Sequence, residues 1–168
     1  MDRTTLRATQ DPLKVCYRDD PGAAIVTLRA DGRLGEGISC SVLTGRALAE
    51  AGLHPAAGGD GTELCSGDML LEALVACAGV TLKSVATAVD VPLKTGNVIA
   101  EGDLDFRGTL GVDKEAPVGF EEIRLRFEVE TDAPQDKLDL LLKLTERYCV
   151  VYQTIKNGPK VSVTMKRV

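Results

Sequence analysis

Five cysteines, Cys16, Cys40, Cys65, Cys77 and Cys149, are the residues of this 168-residue chain best equipped for covalent chemistry. A thiolate is a strong nucleophile and a reversible reductant, and its reactivity is set by how far its surroundings lower the thiol pKa. No two of the five are spaced as CxxC and His54 is the only imidazole, which disfavours a zinc site and leaves a cysteine hydrolase without a plausible base. The rest of the composition narrows the field further. Twenty Lys plus Arg stand against 25 Asp plus Glu, a net charge of -5, so the chain lacks the positive field that attracts phosphate backbones. With no Trp, three Phe and three Tyr it has little to stack against bases, and its Gly-rich segments lack the GxxxxGK[ST] phosphate loop. Nucleic acid is not the expected partner.

The first fourteen residues mix both charge signs without a signal-peptide apolar run, so a reducing cytoplasm, where free thiols persist, is the expected compartment. The length and the 44% hydrophobic content suit one domain spanning 1–168, with 1–13 as a loosely ordered arm. Residues 14–18, 24–30 and 37–43 read as three short strands separated by turns rich in Asp and Gly, and 44–51 as a short helix before a Gly-rich loop over 52–61. From Ser66 to about Val89 the pattern is helical, with Ser66 as N-cap and Asp68 in the first turn. The helix is apolar on nearly every face, so other elements or a partner chain must surround it. Its apolar run over 69–82 is interrupted by Glu72 and is shorter than the roughly 20 residues of a membrane span, so no membrane is expected.

Asp90-Val91-Pro92 ends that helix, and strands follow over 96–107 and 123–130, the second with strict alternation from Ile123 to Glu130. Asp132-Ala133-Pro134 opens a helical region in which Leu138, Leu141, Leu142 and Thr145 form one stripe that continues to Tyr148 and Cys149. Cys149 should therefore face the core. Asn157-Gly158-Pro159 closes the helices, and Val161, Val163 and Met165 alternate inward in a last strand over 160–166. The order βββ-α-ββ-αα-β indicates an α+β fold with largely antiparallel sheets around a central apolar helix.

Read from its residues alone, Cys77 in Val75-Ala76-Cys77-Ala78-Gly79 is equally well a packing residue, since cysteine behaves as a small hydrophobe. The surrounding motif says more. The run from Ser66 to Leu82, with its Ala-rich stretch and a Cys followed by Thr81-Leu82, resembles the signature of the OsmC/Ohr family, and Tyr148-Cys149-Val150-Val151 resembles that family's second cysteine motif. The resemblance implies an intertwined homodimer that acts as a two-cysteine thiol peroxidase on organic or inorganic hydroperoxides, with no bound cofactor and an external dithiol as reductant. Cys77 would become a sulfenic acid and Cys149 would condense with it to a disulfide. The alternative is a non-peroxidatic member of the same fold that binds a small ligand.

The family also implies an Arg that holds the thiolate and a Glu that orients the Arg. Gly67 and Asp68 occupy the positions where the carboxylate pair is usual, making Asp68 the nearest substitute, with Glu63 and Glu72 as further candidates. Arg18 in Tyr17-Arg18-Asp19 resembles the family's Arg-Asp turn, and Arg46 is the other choice. Val150 replaces the common Pro after the second cysteine. Cys16 and Cys40 read as packing residues on strands, Cys65 as an exposed bystander or alternative resolving thiol, and His54 as structural. Lying in the middle of its helix, Cys77 gains little from that helix's own dipole.

Overall fold

The computed structural model describes residues 2–19, 32–34, 39–43, 48–111 and 113–167. Its centre is α2 (Ser66–Val89), whose boundaries coincide with the helix read from the sequence. The N-cap is Cys65, not Ser66, which is the first helical residue, and Asp68 lies in the first turn. At the other end Asp90 adopts the left-handed conformation (φ 61°) that closes a helix. Leu74, Ala78, Leu82 and Val85 recur at spacings of four, four and three and form the buried stripe.

That stripe is covered by a hairpin and a pair of helices. Strand β5 (Thr95–Leu104) pairs antiparallel with β6 (Phe120–Glu130), from Thr95 opposite Glu130 to Leu104 opposite Phe120, and a short helix α3 (Phe106–Thr109) lies in their connection. Helix α4 (Gln135–Tyr148) follows, and α5 (Val150–Asn157) resumes after a single intervening residue. Proline 134 is the N-cap of α4, one position before the first turn in which it was expected. Leu82, Val85, Ala86 and Val91 from the α2 end meet Leu141 of α4, with Phe127 and Val129 of β6 packed alongside. Although α2 is long and apolar enough to cross a membrane, its buried stripe makes it the core helix of this fold.

The N-terminal third departs from the sequence reading. Residues 14–18 are not a strand, and 1–13 are not a loose arm; Arg3–Asp19 forms one helix, α1, so that Arg18 and Cys16 are helical. Its start is capped by Asp2, whose Oδ1 accepts from the Thr5 N–H at 2.8 Å, and α1 contacts α2. The few β-prone residues near Val15 and Tyr17 carry only weak propensity, which capping and tertiary contact override, and the helix continues through Pro12 despite the lost donor. Of the predicted helix over 44–51, residues 44–47 lie outside the described residues and 48–51 are not helical. Leu48–Gly52 is a strand, β3, lying between β2 (Ser39–Leu43) and the two-residue β4 (Leu64–Cys65), with β1 (Gly32–Leu34) on the far side of β2. An eight-residue helix is marginal alone, whereas β3 gains hydrogen bonds along both edges. The strand expected over 24–30 lies outside the described residues.

The expected last strand over 160–166 is absent as well, and Val163 and Met165 are 89% and 99% exposed. A strand exists only through its ladder, and no described strand pairs with this segment. The observed order is therefore α1-β1-β2-β3-β4-α2-β5-α3-β6-α4-α5, an α+β arrangement with antiparallel pairing everywhere except between β3 and β4.

Because Leu141 is only 2% exposed and ties α4 to α2, Leu141→Ala should cost about 2–5 kcal/mol of unfolding free energy. Urea denaturation followed by circular dichroism measures it; a loss below about 1 kcal/mol would show that α4 does not depend on this contact.

Candidate active site

Cys149 occupies the one residue between α4 and α5, and both helices hold it. Its N–H donates to the Thr145 carbonyl at 2.9 Å, closing α4, and its carbonyl accepts from the Gln153 N–H at 2.9 Å, opening α5. The Gln153 side chain also returns to the Glu146 carbonyl at 2.7 Å, bracing the corner. Cys149 is 1% exposed, buried as read, although Leu142 and Tyr148 of the predicted stripe are 44% and 58% exposed. It is the N-cap of α5 with φ -72° and ψ 107°, so the amides of Val150, Val151 and Tyr152 form a first turn without intrahelical acceptors.

Cys77, at mid-length on α2 and half-buried, faces that turn. Burial opposes its ionisation. The Val151 N–H, the Cys149 thiol, the Val150 N–H and the Thr81 hydroxyl all favour the anion, in that order, and together they bring the Cys77 pKa below the ordinary thiol value. Cys149 moves the other way. Burial is the main cause, and the hydrogen bond and charge of Cys77 add to it, outweighing the favourable Tyr152 and Val151 amides. The pair is thus asymmetric, with ionisation favoured at Cys77 over Cys149.

The helix dipole does act on Cys77, but it belongs to α5 and not to α2. Sequence reasoning missed this donor turn because no local pattern shows which helix end a mid-helix residue meets. It also passed over Thr81, for which a signal existed: a polar residue four positions after Cys77, on the same face of an otherwise apolar helix. Thr87 and Thr145 bond back to the Lys83 and Leu141 carbonyls at 2.8 Å, whereas the Thr81 hydroxyl is among the groups that favour the Cys77 anion.

The remaining candidates lie elsewhere in the chain. Asp68 is nine residues before Cys77, about 13.5 Å along the helix and half a turn around it. It lines a separate cavity of about 340 Å³ with Cys65, His54, Phe106 and Phe120. There His54 is structural: Nδ1 accepts from the Ala56 N–H at 3.0 Å and the ring stacks on Phe106 at 5.1 Å. Gly67 faces Cys65 and Phe120, Glu63 lies against Gly52 at the end of β3, and Glu72 is exposed. Arg18 sits in the last turn of α1, not at a strand end, and its side chain lies outside the described residues, as does Arg46. Cys40 is on β2 as read, opposite Ala51.

A family model described as OsmC-like protein matches residues 59–164. No curated protein matches the chain. Among solved structures it is similar to an OsmC-like protein from Mycoplasma pneumoniae, at 16% identity over 79% of this chain and 89% of that one, with a TM-score of 0.67. An organic hydroperoxide resistance protein OsmC from Legionella pneumophila shares 16% identity over 80% and 92% of the two chains, with a TM-score of 0.62. The organic hydroperoxide resistance protein OhrB of Bacillus subtilis shares 18% over 79% and 93%, with a TM-score of 0.55. At these identities the likeness is one of fold.

The division of the pair has a direct chemical signature. Iodoacetamide at neutral pH should modify Cys77 well before Cys149, with the Cys77 rate holding to lower pH than that of a free thiol near 8.5. Peptide mapping after timed quenching reads both rates, and equal labelling of the two would contradict this assignment.

Proposed function

The chain belongs to the OsmC-like protein family, and from that membership we propose that it is a thiol peroxidase that reduces organic or inorganic hydroperoxides through Cys77 and Cys149. The observation that carries the reading is the meeting of these two sulfurs at the first turn of α5, one favoured as thiolate and the other kept as thiol. Hydroperoxide resistance proteins among the structural relatives support the same reaction class.

In the proposed cycle the Cys77 thiolate attacks the terminal peroxide oxygen, the O–O bond breaks, and the alkoxide leaves and takes a proton to become the alcohol. Cys77 is then a neutral sulfenic acid. Its negative charge, which had held the Cys149 pKa up, is gone, while the amides of Tyr152 and Val151 still face Cys149. Cys149 is thereby released to ionise only after the first step. Its sulfur attacks that of Cys77, hydroxide leaves with the Cys149 proton as water, and a disulfide forms. An external dithiol returns two electrons and two protons. No bound cofactor enters the cycle, and the compartment this reading requires is a reducing one such as the cytoplasm.

We also assign the protein to a homodimer. Val80 of α2 is 73% exposed, and the alternating apolar segment with Val161, Val163 and Met165 is uncovered, as expected of surfaces that a second copy buries. The roles that the resemblance gives Arg18 and Asp68 would have to be met within this dimer, since Asp68 stands on the opposite side of α2 from Cys77 of its own chain.

Stopped-flow mixing of reduced protein with cumene hydroperoxide should show rapid consumption that Cys77→Ser abolishes, and one equivalent of peroxide should remove two hydrogens from the protein, mapped to a Cys77–Cys149 link. Cys149→Ser should retain the first step and accumulate a dimedone-reactive sulfenic acid. Wild-type consumption no faster than that of free cysteine would reject the enzyme and favour the ligand-binding member of the fold.

A further inference from the structure

Charge is divided unevenly along this chain, and the division falls beside Cys149. Residues 143–167 hold six basic residues, Lys143, Arg147, Lys156, Lys160, Lys166 and Arg167, against one acid, Glu146, a net +5. The other 14 basic and 24 acidic residues all precede them and leave residues 1–142 at -10. All six cations are exposed. Among the described residues none of the six has a carboxylate partner, whereas Lys94, Arg107, Arg124 and Arg126 each pair with one.

Lys143 and Arg147 lie one turn apart on α4 and, with Glu146, Tyr148 and Gln153, line a surface cavity of about 450 Å³ at the corner between α4 and α5. Lys156 continues the basic surface along α5. Lys160 and Lys166 alternate in sequence with Val161, Val163 and Met165, so in an extended chain a second copy that buries the apolar side leaves these two cations turned outward. An unpaired basic surface on an otherwise acidic protein draws anions to itself, and such steering raises encounter rates by about 10- to 1,000-fold.

We propose that this face docks the acidic surface of a protein that carries the reducing dithiol. The proposal rests on the peroxidase cycle and adds the nature of its reductant. Of the reactants in that cycle, the basic surface is placed for the one that meets Cys149, and its span over two helices and the segment beyond them exceeds what a small molecule covers. One thiolate of the partner attacks the Cys149 sulfur, the S–S bond breaks and Cys77 leaves as thiolate. The partner's second thiol then attacks the mixed disulfide and Cys149 leaves, so that two electrons and two protons pass to the pair and the partner ends as a disulfide.

Three synthetic peptides with the same Cys-Gly-Pro-Cys dithiol, flanked by glutamates, glutamines or lysines, separate charge from thiol chemistry. Fluorescence anisotropy with their serine forms reads docking on the reduced protein without any redox step. The rate at which the dithiol forms reduce a Cys77–Cys149 disulfide made with diamide reads delivery. At about 10 mM salt the glutamate peptide should bind and reduce at least about tenfold better than the lysine peptide, and the gap should close at about 0.3 M salt. Lys143→Gln with Arg147→Gln should weaken the glutamate peptide about threefold to tenfold in both assays and leave reduction by neutral dithiothreitol unchanged. Lys83→Gln with Lys114→Gln removes the same charge from exposed positions elsewhere and should leave both assays at wild type. Glutamate and lysine peptides that behave alike at low salt, or an equal loss in the two double variants, would overturn the docking face. Charge-selective binding without charge-selective reduction would reject the reductant as its partner. Both selectivities in a protein that fails to consume hydroperoxide would uphold the face and reject the peroxidase.

Discussion

The structure depends on one encounter: a sulfur from the middle of the central helix meets the open first turn of another helix, with a second sulfur as that turn's cap. A half-buried anion is costly unless donors face it, and the first turn of a helix leaves N–H groups without intrahelical acceptors. Cys77 and α5 satisfy these two requirements with each other. The corner between α4 and α5 serves the same end, since a single residue, Cys149, closes one helix and opens the next, which holds its backbone at the mouth of α5.

Rigidity around the pair comes from packing on both sides. Leu82, Val85 and Leu141 lock α2 to α4 below it, and the Gln153 bond to the Glu146 carbonyl keeps α5 from swinging away above it. The surfaces that remain open are of a different kind. Val80 lies three residues beyond Cys77 on α2, so apolar area is exposed beside the reactive sulfur. A single chain that buried this area would also close the site, whereas the proposed dimer would cover it from outside the chain.

What could be read from the sequence follows from how local its causes are. The extent of α2, the strand β6 with its strict alternation, the burial of Cys149 and the break at Gly158 all arise from period, caps and breakers within a short window, and all appear as read. The errors gather where a partner element decides. Residues 14–18 became helical on contact with α2, Leu48–Gly52 became a strand between two others, and the segment with Val161 and Val163, patterned as a strand, has no described neighbour to pair with. At the site, the two cysteines were legible from motif, while the donors around Cys77 were not, because the amides of Val150 and Val151 carry no residue identity. Only Thr81 left a trace, and a lone threonine in an apolar helix usually bonds to its own backbone, as Thr87 does.

The same donors bear on how the proposed cycle is completed. Stabilising a thiolate lowers the free energy of the reduced pair, and the disulfide, in which neither sulfur is charged, does not share that gain. The oxidised form is therefore a better oxidant than an unperturbed disulfide, and the amides at α5 that promote attack on peroxide also favour return of the pair to its reduced state. Raising the Cys149 pKa works against this, which is why the asymmetry matters: Cys77, the sulfur that must leave as an anion when an external dithiol attacks Cys149, is the one the donors stabilise. Attack at Cys149 with Cys77 as leaving group is thus the direction of reduction that this arrangement favours.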